Sequence, residues 1–102
     1  MKSFIPKADS SVKIAGTTSS GNVSLGTLDL SHQDILVTNL AANPAFVKFG
    51  TDNTVAAGTD NDIPIPGGAS RMLNRQQHTY VAAILTTGTG DVWFTPGCGS
   101  AL

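Results

Sequence analysis

Apolar and polar residues alternate in short runs along most of the chain, and clusters of glycine, asparagine, serine, threonine and proline separate the runs. Alternation with a period of two sends successive side chains to opposite faces of an extended strand. Ser11–Ala15 and Asn22–Gly26 alternate in this way, on either side of a turn-rich stretch from Gly16 to Gly21. Leu28 and Leu30 flank Asp29 and either extend the second run or form a connector, with room for one short turn between Leu28 and Asp34. Asp34–Asn39 and Ala45–Gly50 are the next two strands, and their closeness in sequence predicts a hairpin. Residues 51–61 are nearly all small or polar and predict a long surface loop. Ile63–Pro66 is extended, and its two prolines assign it to a sheet edge. Gly67–Gly68 is a turn and Ser70–Leu73 a short strand. Thr79–Thr86 is the longest β-prone run. The Thr87–Gly90 turn after it leads into Asp91–Thr95, predicting a second hairpin that Pro96–Gly97 ends.

Seven or eight short strands divided by turn signals predict an all-β fold, a small antiparallel β-sandwich or jelly-roll-like domain. Its boundaries are set at an N-terminal arm over 1–10, the sandwich over 11–97 and a C-terminal tail over 98–102. Pro6 and the Asp9–Ser11 cluster argue against regular structure in the arm.

The strand faces carry the functional signal. If Val47, Phe49, Val92 and Phe94 face the core, then Phe46, Lys48 and Trp93 point outward, and Leu36 opposes Ile35 and Val37 in the same way. In residues 79–85 both faces are apolar, with Tyr80, Ala82 and Ile84 on one and Val81, Ala83 and Leu85 on the other. A free-standing sandwich has polar outer faces. Either the arm or the long loop covers one sheet, or the exposed aromatics are a protein interface. Leu36, Phe46, Lys48, Tyr80 and Trp93 are the candidate interface residues.

Composition sharpens this picture. The chain of 102 residues contains no glutamate and few lysines and arginines, the residues that tile exposed helices. Only 13% of residues are charged, and the net charge is −1. Its six basic residues are scattered, without the basic stripe of a nucleic-acid binder. Low charge gives up solubility, a cost more easily borne by a surface covered in an assembly. No apolar run approaches membrane-spanning length, and no signal peptide is expected, because Pro6 and Lys7 follow Ile5. Synthesis in the cytoplasm without an export route of its own is therefore expected.

Candidate chemistry is sparse. Cys98 is the sole cysteine, so neither an intrachain disulfide nor a cysteine metal cluster is expected. His32 and His78 are the only histidines. Cys98 and His78 could approach each other, but neither lies in a nucleophile motif. Asp52, Asn53 and Asp60–Asp62 offer oxygens for calcium without the spacing of a calcium loop. Gly88–Gly90 precedes a strand and not a helix, so it reads as a turn and not a phosphate loop. No catalytic, cofactor or metal residues are assigned, and no enzyme is expected.

From about Ile35 to Gly99 the chain resembles small proteins encoded near the head genes of tailed bacteriophages. The likeness rests on Val37–Asn39, Asn43–Gly50, Asp62–Ile65, Pro66–Gly68, Tyr80–Ile84, Gly88–Gly90 and Thr95–Gly97. It covers roughly two-thirds of the chain, and its motifs specify strands and turns more than a task. The resemblance implies a virion component, a capsid decoration or cement protein on the outer surface of the shell. Such a protein bridges neighbouring copies of the major capsid protein, often as a trimer at a symmetry axis. The family pattern supplies no catalytic residues. The alternative from a different class is a carbohydrate- or receptor-binding β-sandwich of a tail or head fibre. The 51–62 loop offers polar groups for that role but no aromatic platform.

Overall fold

The computed structural model describes residues 4–27, 29, 31–59 and 62–98. Nine strands form among them. They are β1 (Ile5–Pro6), β2 (Val12–Gly16), β3 (Gly21–Ser24), β4 (Asp34–Asn39), β5 (Ala45–Gly50), β6 (Ile63–Ile65), β7 (Ser70–Asn74), β8 (Tyr80–Leu85) and β9 (Gly90–Cys98). Their pairing is nested. β5 pairs with β6, β4 with β7, β3 with β8 and β2 with β9, all antiparallel. This long hairpin folds over itself into two sheets. The first has the order β2–β9–β4–β7 with β1 also beside β9, and the second has the order β3–β8–β5–β6. The result is a jelly roll, the all-β architecture expected from the strand spacing.

The inner faces follow the period-two pattern. Ile14, Ile35, Val37, Val92 and Phe94 from the first sheet meet Ala45, Val47, Ile65, Val81, Ala83 and Leu85 from the second. Phe49 and Leu73 pack against this core from the side. Each fully buried Val, Leu, Ile or Phe contributes about 1.5–3 kcal/mol of transfer free energy.

Neither expected hairpin forms. β4 and β5 lie in different sheets, as do β8 and β9. Their short connections cross the gap between sheets, about 10 Å wide, instead of turning back within one. Asn39 shows why the chain crosses at its position. Its side chain is fully buried. Its amide nitrogen donates to the carbonyls of Asn43 (3.0 Å), Ile65 (3.1 Å) and Pro66 (3.3 Å), and its Oδ1 accepts from the Ala41 N–H at 2.9 Å. One side chain thus ties the β4–β5 crossing to the β6–β7 crossing.

The ends of the domain also differ from expectation. Ile5–Pro6 of the predicted arm pairs with Cys98 and Gly97, and β9 runs through Pro96 and Gly97 instead of stopping before them. Leu40 N–H donates to Asp91 O in the β4–β9 register. Odd-numbered β9 residues therefore bond toward β4, and even-numbered ones toward β1 and β2. The missing N–H of Pro96 falls on the β1 side, where Pro96 O still accepts from Lys7 N–H at 2.8 Å. The ladder loses one bond there and continues. The turn allowed between Leu28 and Asp34 is closed by His32 N–H on Asp29 O at 3.0 Å, while Leu28 and Leu30 lie outside the described residues.

Candidate interaction surface

The five candidate residues do not share a face. Leu36 and Trp93 stand on the outer side of the first sheet, and Phe46, Lys48 and Tyr80 on the outer side of the second. Phe46 and Trp93, assigned together to one candidate interface, therefore stand on opposite sides of the molecule. The sequence assigns each side chain to a face of its own strand, but says nothing of which sheet that strand joins.

On the first sheet, Leu36 lies between Thr95 of β9 and Met72 of β7, and the adjacent row is Lys13, Trp93, Thr38 and Ser70. Leu36, Met72, Trp93, Thr38 and Thr95 are all partly exposed. Lys13 Nζ sits 5.7 Å from the Trp93 ring centroid and 3.6 Å from the Asp91 carboxylate. A flat apolar strip with a charged margin results, and Met72 is a member that the strand pattern alone did not single out.

On the second sheet, Phe46 stands between Ile84 of β8 and Pro64 of β6. The next row is Lys48, Ala82 and Asn22, and the one beyond is Gly50, Tyr80 and Ser24. Ala82 is fully buried although it points outward. The loop that follows β5 accounts for this. Asn22 Nδ2 holds Asn53 O at 2.9 Å and Val55 O at 3.4 Å, and Ser20 Oγ accepts from Ala57 N–H at 2.8 Å. Val55 packs so closely over Gly50 that any side chain there would collide with it. The loop thus covers the Tyr80 end of this face and leaves Phe46, Ile84 and Pro64 at the other.

Between the free edges of the two sheets is a cleft of about 300 Å³, walled by Val47, Phe49, Ile63 and Leu73, with Asp62 and His78 among its polar lining. His78 Nδ1 lies 2.8 Å from Arg75 O, whereas Cys98 pairs with Ile5 on the far edge of β9. The cleft lining holds no cysteine. Among the described residues no group of three or more His, Cys, Asp or Glu side chains gathers as a metal set. Of the loop oxygens considered for calcium, Asp52 Oδ1 accepts from Thr54 N–H at 2.9 Å and Asp62 Oδ2 from Gly58 N–H at 2.7 Å. Asp60 and Asn61 lie outside the described residues.

The densest charge cluster fastens the N-terminal segment. Asp29 Oδ2 is 2.7 Å from His32 Nδ1 and 3.1 Å from Lys7 Nζ, and Oδ1 accepts from Ser31 N–H at 2.9 Å. The His32 hydrogen bond foremost, then the Ser31 N–H and Lys7, lower the Asp29 pKa from 3.8 to about 2. Arg75 is almost wholly buried nearby, and its Nε donates to His78 O at 2.9 Å. Burial lowers its pKa, an effect opposed by the charge of Asp29.

No protein-family model, curated protein or solved structure matches the chain. Among the described residues no helix is long and apolar enough to cross a membrane.

Proposed function

We propose that this chain is a structural virion protein, a decoration protein that binds the outer surface of a bacteriophage capsid and stabilises it. The observation that carries this reading is the pair of apolar patches on opposite outer faces of one small jelly roll. Leu36, Met72 and Trp93 form one, and Phe46, Ile84 and Pro64 the other. A single binding face would serve a simple adaptor, whereas two opposed faces suit a protein that lies between neighbouring major-capsid subunits and touches both. The resemblance over Ile35–Gly99 supports the same reading, and jelly rolls are common among capsid proteins.

Binding only the assembled shell shifts the assembly equilibrium toward it by mass action. Many copies engaged on one lattice add avidity. Neither step needs a catalytic residue or cofactor, and the low charge of the chain is compatible with a surface that is largely covered.

The test is direct location. The chain is expected in purified particles, on the outside of the shell. Trp93→Asp and Phe46→Asp are each expected to abolish rebinding to stripped particles while leaving the fold intact. Absence from particles would overturn the proposal. Specific glycan binding by the isolated domain, unaffected by these substitutions, would replace it with the fibre-module reading.

A further inference from the structure

Among the described residues β7 has a strand partner on one side only, β4, and its other edge is unpaired. Ala69 O accepts from Asn39 N–H, and Arg75 N–H donates to Gln33 O. With the β4–β7 register, these bonds show that residues 69, 71, 73 and 75 bond toward β4. Ser70, Met72 and Asn74 therefore direct their backbone N–H and C=O groups away from the sheet. These three positions are symmetric about Met72.

Both margins of the second sheet are protected. β6 carries Pro64 and is followed by Pro66. Beside β3, Asn22 holds the loop after β5. Among the described residues β7 has neither device. Its one charged residue, Arg71, is exposed, and its guanidinium donates to Ser70 O, on its own edge, at 3.0 Å.

We infer that two copies of this chain associate through an antiparallel β7–β7 pairing centred on Met72. In this register Met72 exchanges both backbone bonds with Met72 of the second copy, and Ser70 does so with Asn74 at each end. Every outward group finds a partner, and the two-fold axis makes the contact isologous and closed. Arg71 falls opposite Leu73 of the second copy, so the two Arg71 side chains are diagonal neighbours and not directly opposed. Leu73 walls the cleft that also holds Asp62. The guanidinium can leave its own Ser70 carbonyl for that carboxylate, and its stem then lies over the apolar wall. On the outer face the two Leu36–Met72 rows join into one strip across a continuous sheet. The pairing is two-fold, unlike the trimer that the family resemblance implies, and it rests on the geometry of this edge and not on the virion reading.

Sedimentation of the full chain over a concentration series is expected to show a dimer of twice 10.5 kDa dissociating on dilution. Met72→Pro removes an N–H that β4 does not use, so this variant should keep its circular dichroism and sediment as a monomer. As a second probe, Met72→Cys in a Cys98→Ser background should form a disulfide-linked dimer on mild oxidation. Ser70→Cys in that background should not, because the two Ser70 positions are far apart in this register. A wild-type monomer at all concentrations, a dimer indifferent to Met72→Pro, a trimer, or equal cross-linking at both positions would each overturn the inference.

Discussion

Asn39 is the side chain on which the crossings depend. It satisfies a backbone N–H and three carbonyls that would otherwise lose partners in a dry interior. Asn39→Ala is expected to cost about 2–3 kcal/mol, since unsatisfied buried groups carry their full desolvation penalty. Asn39→Asp should be worse, because a carboxylate would face three carbonyl oxygens. Denaturant midpoints of the two variants check this order. Asp29 predicts a pH effect. Its folded pKa, lowered to about 2, lies below its ordinary value of 3.8. Its contribution to stability is therefore present above about pH 4 and lost as pH falls toward 2. Asp29→Asn should flatten the dependence of the unfolding midpoint on pH across that window relative to wild type.

Strand β9 shows how one element can serve several partners. It pairs with β2 over Gly90–Phe94, with β1 over Gly97–Cys98, and with β4 along its other edge. Gly97 makes the β1 contact possible, because a Cβ there would collide with Ile5 O and the Phe4 ring. Gly97→Ala is expected to release β1 while the sandwich stays folded. Amide exchange would then quicken at Lys7, whose N–H bonds Pro96 O, and remain slow in β4. The same strand separates packing from surface chemistry in adjacent residues. Phe94→Ala should cost about 3–5 kcal/mol by leaving a core cavity. Trp93→Ala should cost under about 2 kcal/mol, as a side chain outside the core. Equal losses in thermal or denaturant unfolding would mean that the outer strip is part of the monomer's core.

The nested pairing has a kinetic consequence for the entire chain. β2 near one end pairs with β9 near the other, so the outermost contacts close only after a long loop has been ordered. Refolding is expected on a scale of roughly milliseconds to seconds, as for other folds dominated by non-local pairing. Stopped-flow Trp93 fluorescence would follow it, and a microsecond phase carrying the full amplitude would contradict the expectation. The central place of β9 also predicts that removing residues 90–102 abolishes folding, because β1, β2 and β4 all pair with it.

Alternation and turn residues sufficed to locate eight of the nine strands and to assign core and outer faces within them, because side-chain direction in a strand is a local property of the backbone. Val47, Val92 and Phe94 are buried, and Phe46 and Trp93 point outward, as that rule requires. Strand partners are a different matter. A short connection closes a hairpin or crosses between sheets with the same polar, glycine-rich residues, and the choice at β4–β5 falls to Asn39 reaching carbonyls far along the chain. For the same reason Phe46 and Trp93 could be read as outward but not as opposed. The long loop could be read as one alternative cover for a sheet, but not as lying over Ala82 while leaving Phe46 clear, which Asn22 decides by holding Asn53 O and Val55 O. Two-residue β1 left no periodic signal, and the buried Arg75 gave none as a lone polar residue in a turn. These features arise from contacts between distant segments, which local periodicity cannot encode.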